Sequence, residues 1–163
     1  MGTHDISIAK DPQSKKRFLK HLLHDVEAIE QMMAQGMFES GITRIGAEQE
    51  FCLVDQHFKP SRNALEVLQT VKDDHFTPEL ARYNLEINLD PRTLTGNCFS
   101  DMHTQLDTLL EKARVAASAI NEHIILAGIL PSIDYRAVQH AYMTPRKRYE
   151  ELGKIILELR GED

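Results

Sequence analysis

Two stretches of strict alternation limit what this chain can fold into. From Ile45 to Leu53, the residues Ile45, Ala47, Gln49, Phe51 and Leu53 fall on one parity, and Gly46, Glu48, Glu50 and Cys52 on the other. From Arg82 to Asp90, Tyr83, Leu85, Ile87 and Leu89 alternate with Asn84, Glu86, Asn88 and Asp90, and Pro91 stops the run. Successive side chains of a strand point to opposite faces, so each segment reads as a strand with one dry face and one wet, carboxylate-carrying face. Parallel sheets covered on both sides read as unbroken apolar runs, so strands of this kind predict a largely antiparallel sheet.

Helical spacing fills the intervals. Asp11-Pro12 gives an N-cap with proline at the first helical position, and Leu19, Leu22, Val26, Ile29 and Met33 then recur until Gly36. Asp55 to Pro60 reads as a turn, followed by a short helix through Leu65, Val67, Leu68 and Val71. Ser100 or Asp101 caps a long helix carrying Met102, Leu106, Leu109, Leu110, Ala113, Ala117 and Ile120. The run Ile124 to Leu130 predicts a buried central strand, and Thr144-Pro145 opens a last helix with Tyr149, Leu152, Ile155, Ile156 and Leu159 as its stripe. The expected fold class is α+β, a largely antiparallel sheet with flanking helices. Residues 1–40 form an amino-terminal helix and lead-in, and 41–163 the body of the domain.

The 163 residues, 42% hydrophobic and 27% charged, suit one globular domain. A formal charge of −6 argues against nucleic acid or an anionic membrane as partner. No run approaches the roughly 18 apolar residues that would cross a bilayer. Cys52 and Cys98 are too few for a disulfide framework, so a reduced cytoplasmic setting is expected. Neither a GxxxxGK[ST] nor a GxGxxG phosphate loop occurs, so phosphate must be handled locally or through a metal.

The carboxylates are the candidates for that work. Glu48 and Glu50, two apart on a strand, share a face at roughly 7 Å, and Glu86 with Asn88 repeats the arrangement. If the two strands are neighbours, three carboxylates converge, and their repulsion must be offset by cations. Carboxylate oxygens with waters suit magnesium, which bridges ATP phosphates in phosphoryl transfer. The bland reading is that glutamates on the wet side of an antiparallel strand are simply solvated.

Here the sequence resembles a known family. Arg44-Ile45-Gly46-Ala47-Glu48-Gln49-Glu50-Phe51 is similar to the first-strand motif of the glutamate-cysteine ligases and related carboxylate-amine ligases. Leu85-Glu86-Ile87-Asn88-Leu89-Asp90-Pro91 resembles their second motif, with Asp-Pro where Thr-Pro is commoner, and Leu126 to Ser132 and Arg148-Tyr149 resemble the next two landmarks in order. The resemblance implies a glutamine synthetase-like fold and an ATP- and magnesium-dependent ligase that joins a glutamate-like carboxylate to an amine through an acyl phosphate. It implies metal ligation by Glu48, Glu50 and Glu86, and substrate or nucleotide binding by Glu79 and Arg148. It also implies an amino-terminal portion of a longer catalytic domain, inactive alone and with a face open for self-association. The alternative is a non-catalytic binding or regulatory remnant of the same fold.

Other candidates read more simply. His21, His24 and Asp25 have metal-capable spacing on the first helix, but no further ligand is evident and solvated histidines explain them. Arg146-Lys147-Arg148 places positive charge at a helix start that could hold a phosphate or carboxylate. Cys52 shares the face of Glu48 and Glu50, where packing is the simpler role.

Overall fold

The computed structural model describes residues 11–161. Thr43–Pro145 forms one compact unit, and the described residues up to Ile42 and from Arg146 belong to another. The second of these holds two helices, α1 (Pro12–Ala34) and α4 (Lys147–Arg160). The Asp11 carboxylate accepts the Ser14 N–H at 2.8 Å, which satisfies one of the amides that a helix start leaves without a partner. Gly36, at φ 65°, follows the end of α1 in the left-handed region that only glycine adopts freely.

The larger unit contains β1 (Arg44–Ile45), β2 (Glu48–Val54), α2 (Ala64–Val71), β3 (Phe76–Pro78), β4 (Asn84–Asn88), β5 (Arg92–Thr93), α3 (Cys98–Ser118) and β6 (His123–Ile125). Four strands form one sheet in the order β3-β4-β2-β6, and β1 pairs with β5 in a second, smaller one. Every pairing is antiparallel. The fold is therefore α+β with antiparallel sheets, as the alternating segments require.

One face of the four-stranded sheet is the core. Phe51 and Leu53 of β2, Leu85 and Ile87 of β4 and Phe76 of β3 pack against Ala64 and Val67 of α2 and Leu109, Leu110, Ala113, Ala116 and Ala117 of α3. Phe51, Leu53, Leu85 and Ile87 are wholly buried, each contributing about 1.5–3 kcal/mol relative to exposure. Alternation then fixes the opposite face as the one that carries Glu48, Glu50, Asn84, Glu86 and Asn88.

Three expectations are corrected. The first alternating segment is not one strand. Arg44-Ile45 pairs with Arg92-Thr93, whereas the ladder between β2 and β4 begins at Glu48↔Asn88, because Pro91 has no N–H to continue it. Ile124 to Leu130 does not form a buried central strand. Only His123–Ile125 pairs, at the sheet edge, and Ile129 is 81% exposed. Asp90, on the acidic parity in sequence, leaves that face, since its carboxylate accepts from Gln105 of α3 at 2.6 Å.

Candidate functional site

Glu48, Glu50 and Glu86 fall on one face of the two central strands of the sheet. Register places Glu50 directly opposite Glu86 and Glu48 directly opposite Asn88. Opposite residues of an antiparallel pair share a face with β-carbons about 4.5–5.5 Å apart, and like charges in that relation repel. Among the described residues, no basic side chain pairs with Glu48, Glu50 or Glu86 to offset this. Glu48 and Glu50 are exposed and Glu86 is half-buried.

Glu86 is the most firmly held of the three. Thr77 of β3 donates its hydroxyl to Glu86 Oε1 at 3.1 Å, and Asn88 Nδ2 donates to the same oxygen at 2.7 Å. Asn88 Nδ2 also reaches Thr77 Oγ1 at 3.2 Å, closing a triangle over three neighbouring positions. Both bonds fall on one oxygen, so Oε2 accepts from no described side chain. Beside Glu48, a depression of about 280 Å³ is lined by Gly46, Ala47, Glu48, Asn88 and Leu89. A β-carbon added at Gly46 would meet nothing within 4 Å, so the glycine leaves open space there and does not relieve a tight contact.

Among the described residues, no three His, Cys, Asp or Glu side chains are grouped closely enough to hold a metal ion by themselves. The three glutamates line a shared face without closing into a cage. Magnesium is usually held through only one or two carboxylates, with waters and substrate phosphates completing its octahedron, so this open donor set fits that ion. It does not fit a metal that needs a complete set of protein ligands.

At the other end of the same face, Cys52 is buried beside Val54 and Leu130. Its thiol lies 3.5 Å from Asn84 Oδ1, and burial, followed by the charge of Glu50, raises its pKa above the ordinary value. A buried thiol kept protonated is a packing residue and a poor nucleophile.

Glu79 follows the edge strand β3 by one residue. Its backbone N–H reaches Asn84 O at 3.4 Å and its carbonyl accepts the Thr144 hydroxyl at 2.5 Å. The Thr144 N–H also bonds Leu80 O at 2.8 Å, and the Arg82 N–H bonds Tyr142 O at 2.7 Å, so the turn from β3 into β4 is pinned by residues 142–144. Arg148 lies in the first turn of α4, exposed, with its guanidinium 6.0 Å from the Tyr149 ring centroid. It belongs to the other unit; within Thr43–Pro145 the carboxylate face carries Glu48, Glu50 and Glu86, with Glu79 one residue beyond β3.

Sequence reasoning missed Thr77, Asn88's donor role, and a polar network on the helix side of the sheet. There His75 Nδ1 lies 2.7 Å from Asp73 Oδ1, and Lys112 Nζ donates to Asp73 Oδ2 at 2.7 Å. Those bonds hold the Asp73 carboxyl far below the usual carboxylate range, with the Lys112 contact the largest cause. They raise the His75 pKa, chiefly through Asp73 and then Asp90. An open groove of about 600 Å³ runs past His75, Arg92, Asp101 and Lys112. Its cations are already matched, Lys112 to Asp73 and Arg92 to Asp101 at 3.8 Å, so the network joins β3, β4 and α3 without leaving a surplus charge. The close Asp73-x-His75 spacing was the only sign of it in the sequence.

No functionally curated protein and no solved structure matches the chain. The family model described as glutamate-cysteine ligase family 2 matches residues 44–158, a span that takes in both acidic strands and all four landmarks. A match over that much of the sequence establishes the assignment, and the ligase class follows from it at the level of the family. The chain belongs to glutamate-cysteine ligase family 2.

Proposed function

We propose that this chain supplies the acid-bearing wall of an ATP- and magnesium-dependent site that joins a carboxylate to an amine. The observation that carries the reading is the register of β2 and β4, Glu50 opposite Glu86 and Glu48 opposite Asn88, on the face away from α2 and α3. Two like charges held opposite each other, with no basic side chain paired to them among the described residues, favour binding of a divalent ion.

In this reading Glu50 and Glu86 would hold magnesium, with Glu48 on the same face. Thr77 and Asn88 fix the Glu86 carboxylate through Oε1 and leave Oε2 for the ion. Bound there, magnesium would supply positive charge against the phosphate charge that develops during phosphoryl transfer. The substrate carboxylate oxygen takes the γ-phosphoryl group and ADP leaves. The amine then attacks the acyl carbon, phosphate leaves, and the amine gives up a proton. Glu79, on the pinned turn, and Arg148, at the start of α4, are the proposed substrate- or nucleotide-binding residues. The substrates are ATP, a glutamate-like carboxylate and an amine, and the setting is the cytoplasm.

The test is ATP-dependent phosphate release with glutamate and a panel of amines, with magnesium varied. Glu48→Gln combined with Glu50→Gln should remove magnesium-dependent turnover. Turnover that survives the double substitution would eliminate the metal role. One observation favours a second reading, a binding module without turnover: among the described residues, no three His, Cys, Asp or Glu side chains are grouped closely enough to hold a metal by themselves. Calorimetric binding of magnesium-ATP without phosphate release would support that reading instead.

A further inference from the structure

Among the described residues, α1 presents an uncovered apolar stripe. None of its residues is buried, and Leu19, Leu22, Leu23, Val26 and Ile29 are each about half exposed. Its apolar residues recur as Leu19, Leu22, Val26, Ile29 and Met33, spaced alternately by three and four, which is the seam of a heptad repeat. At 1.5 Å per residue the 23-residue helix is about 34 Å long, and an apolar stripe of that length marks an interaction site.

The charges on α1 are placed against its own dipole. Lys15, Lys16, Arg17 and Lys20 lie in its amino-terminal half, and Asp25, Glu27 and Glu30 in its carboxy-terminal half. Cations near a helix start and anions near its end are unfavourable for the helix alone. Among the described residues, none of Lys15, Lys16, Lys20, Asp25, Glu27 and Glu30 makes an ion pair that would compensate.

We propose that α1 pairs antiparallel with α1 of a second copy of this chain. Aligned by its heptads, the seam stacks Leu19 on the partner's Ile29 and Leu22 on the partner's Val26, and the symmetric contacts repeat both layers. On one flank Lys16 meets the partner's Glu30 at each end, with Leu23 on the partner's Leu23 between them. On the other flank Phe18 meets the partner's Met32, and Asp25 meets the partner's Asp25, the one like-charge contact of the arrangement. A parallel pair would instead set Asp25 beside the partner's Glu30 twice and lay basic half on basic half. Antiparallel pairing thus places the acidic half of each helix beside the basic half of the other, and opposes the two dipoles.

Sedimentation of the full chain tests this. A dimer is expected, with Leu22→Glu combined with Val26→Glu giving a monomer whose sheet unfolds at the same denaturant concentration as before. Asp25→Asn removes the like-charge contact and should tighten the dimer by roughly twofold, the scale of a single helix-surface charge pair. Orientation is read by oxidation: an equimolar mixture of Lys16→Cys and Glu30→Cys chains should form mixed crosslinked dimers in preference to either variant alone. A monomer at every concentration overturns the proposal, as does self-crosslinking of Lys16→Cys in preference to the mixed pair.

Discussion

Glu122 is a buried carboxylate with an uneven set of partners, and replacing it in two ways separates its roles. It is 5% exposed and lies between α3 and β6. Its Oε1 accepts from Ser61 Oγ at 2.5 Å and from Asn63 Nδ2 at 2.6 Å, whereas its buried Oε2 has no partner among the described residues. Those bonds tie the segment before α2 to the segment that leads into edge strand β6. Burying a carboxylate without a cation costs several kcal/mol, partly offset by two charge-assisted bonds of about 1.5–3 kcal/mol each. Glu122→Gln keeps an oxygen for both donors, weakens each bond to about 0.5–1.5 kcal/mol, and removes the buried charge. These changes nearly cancel, so the glutamine variant should lie within about 2 kcal/mol of the parent. Glu122→Ala loses both bonds and leaves the buried Ser61 hydroxyl without its acceptor, a further cost of about 1–3 kcal/mol. Alanine should therefore fall below glutamine by about 3 kcal/mol. Urea unfolding of the two variants side by side measures that difference without reference to the charge-burial cost. Equal midpoints for alanine and glutamine would refute the claim that Oε1 holds the two segments together.

His75 and Glu50 give two further predictions. The His75 pKa is raised, so its contribution to stability is fully present below the unfolded value of about 6.5 and is lost as pH rises through the higher folded value. The urea midpoint should therefore fall as pH rises above about 6.5, and His75→Gln should flatten that slope; a slope unchanged in the variant would remove the Asp73-His75 contact as its cause. Glu50→Gln removes the repulsion with Glu86 and should stabilise the fold by about 0.2–1 kcal/mol, toward the lower figure because Glu50 is exposed and screened, while weakening magnesium binding. A loss of stability would mean that the two carboxylates are not in repulsive contact.

What the sequence made readable was whatever has a local period. The alternation of Leu85, Glu86, Ile87 and Asn88 appears in the fold with Leu85 and Ile87 wholly buried and the other two half-buried, because a strand cannot place neighbours on one face. Asp11-Pro12 marked the start of α1 for the same kind of reason, since an N-cap acts within one turn. Elements defined by distant partners were not readable. Phe76–Pro78 and Arg92–Thr93 are strands only because β4 and β1 lie beside them, and each is too short to show a period. The apolar run from Ile124 misled in the opposite direction. Its composition suits a central strand, but only three residues pair, and Leu130 is instead buried beside Cys52 and Val54. Glu122 gave no signal at all, because its partners Ser61 and Asn63 lie about sixty residues away in the chain.

The carboxylate face shows why alternation alone could not separate a site from a solvated surface. Glu48 and Glu50 have the same parity in either case, and so does Glu86. The difference lies in register, which decides whether Glu50 faces a glutamate, a neutral residue or a lysine. Register in a hairpin follows from the turn that closes it. Here β3 and β4 are joined through residues 79–83, and that turn is held by the Thr144 hydroxyl on Glu79 O and by the Arg82 N–H on Tyr142 O. Residues about sixty positions downstream thus hold the turn from which β4 begins. A slip of β4 by one residue would turn Ile87 toward solvent and Glu86 into the core, so the same packing that buries Ile87 holds Glu86 against Glu50. The placement of Glu86 opposite Glu50 is therefore imposed by the core. Hydrophobic packing thus sets two acidic residues opposite each other across β2 and β4, a relation that the two glutamates of β2 do not reveal when read alone.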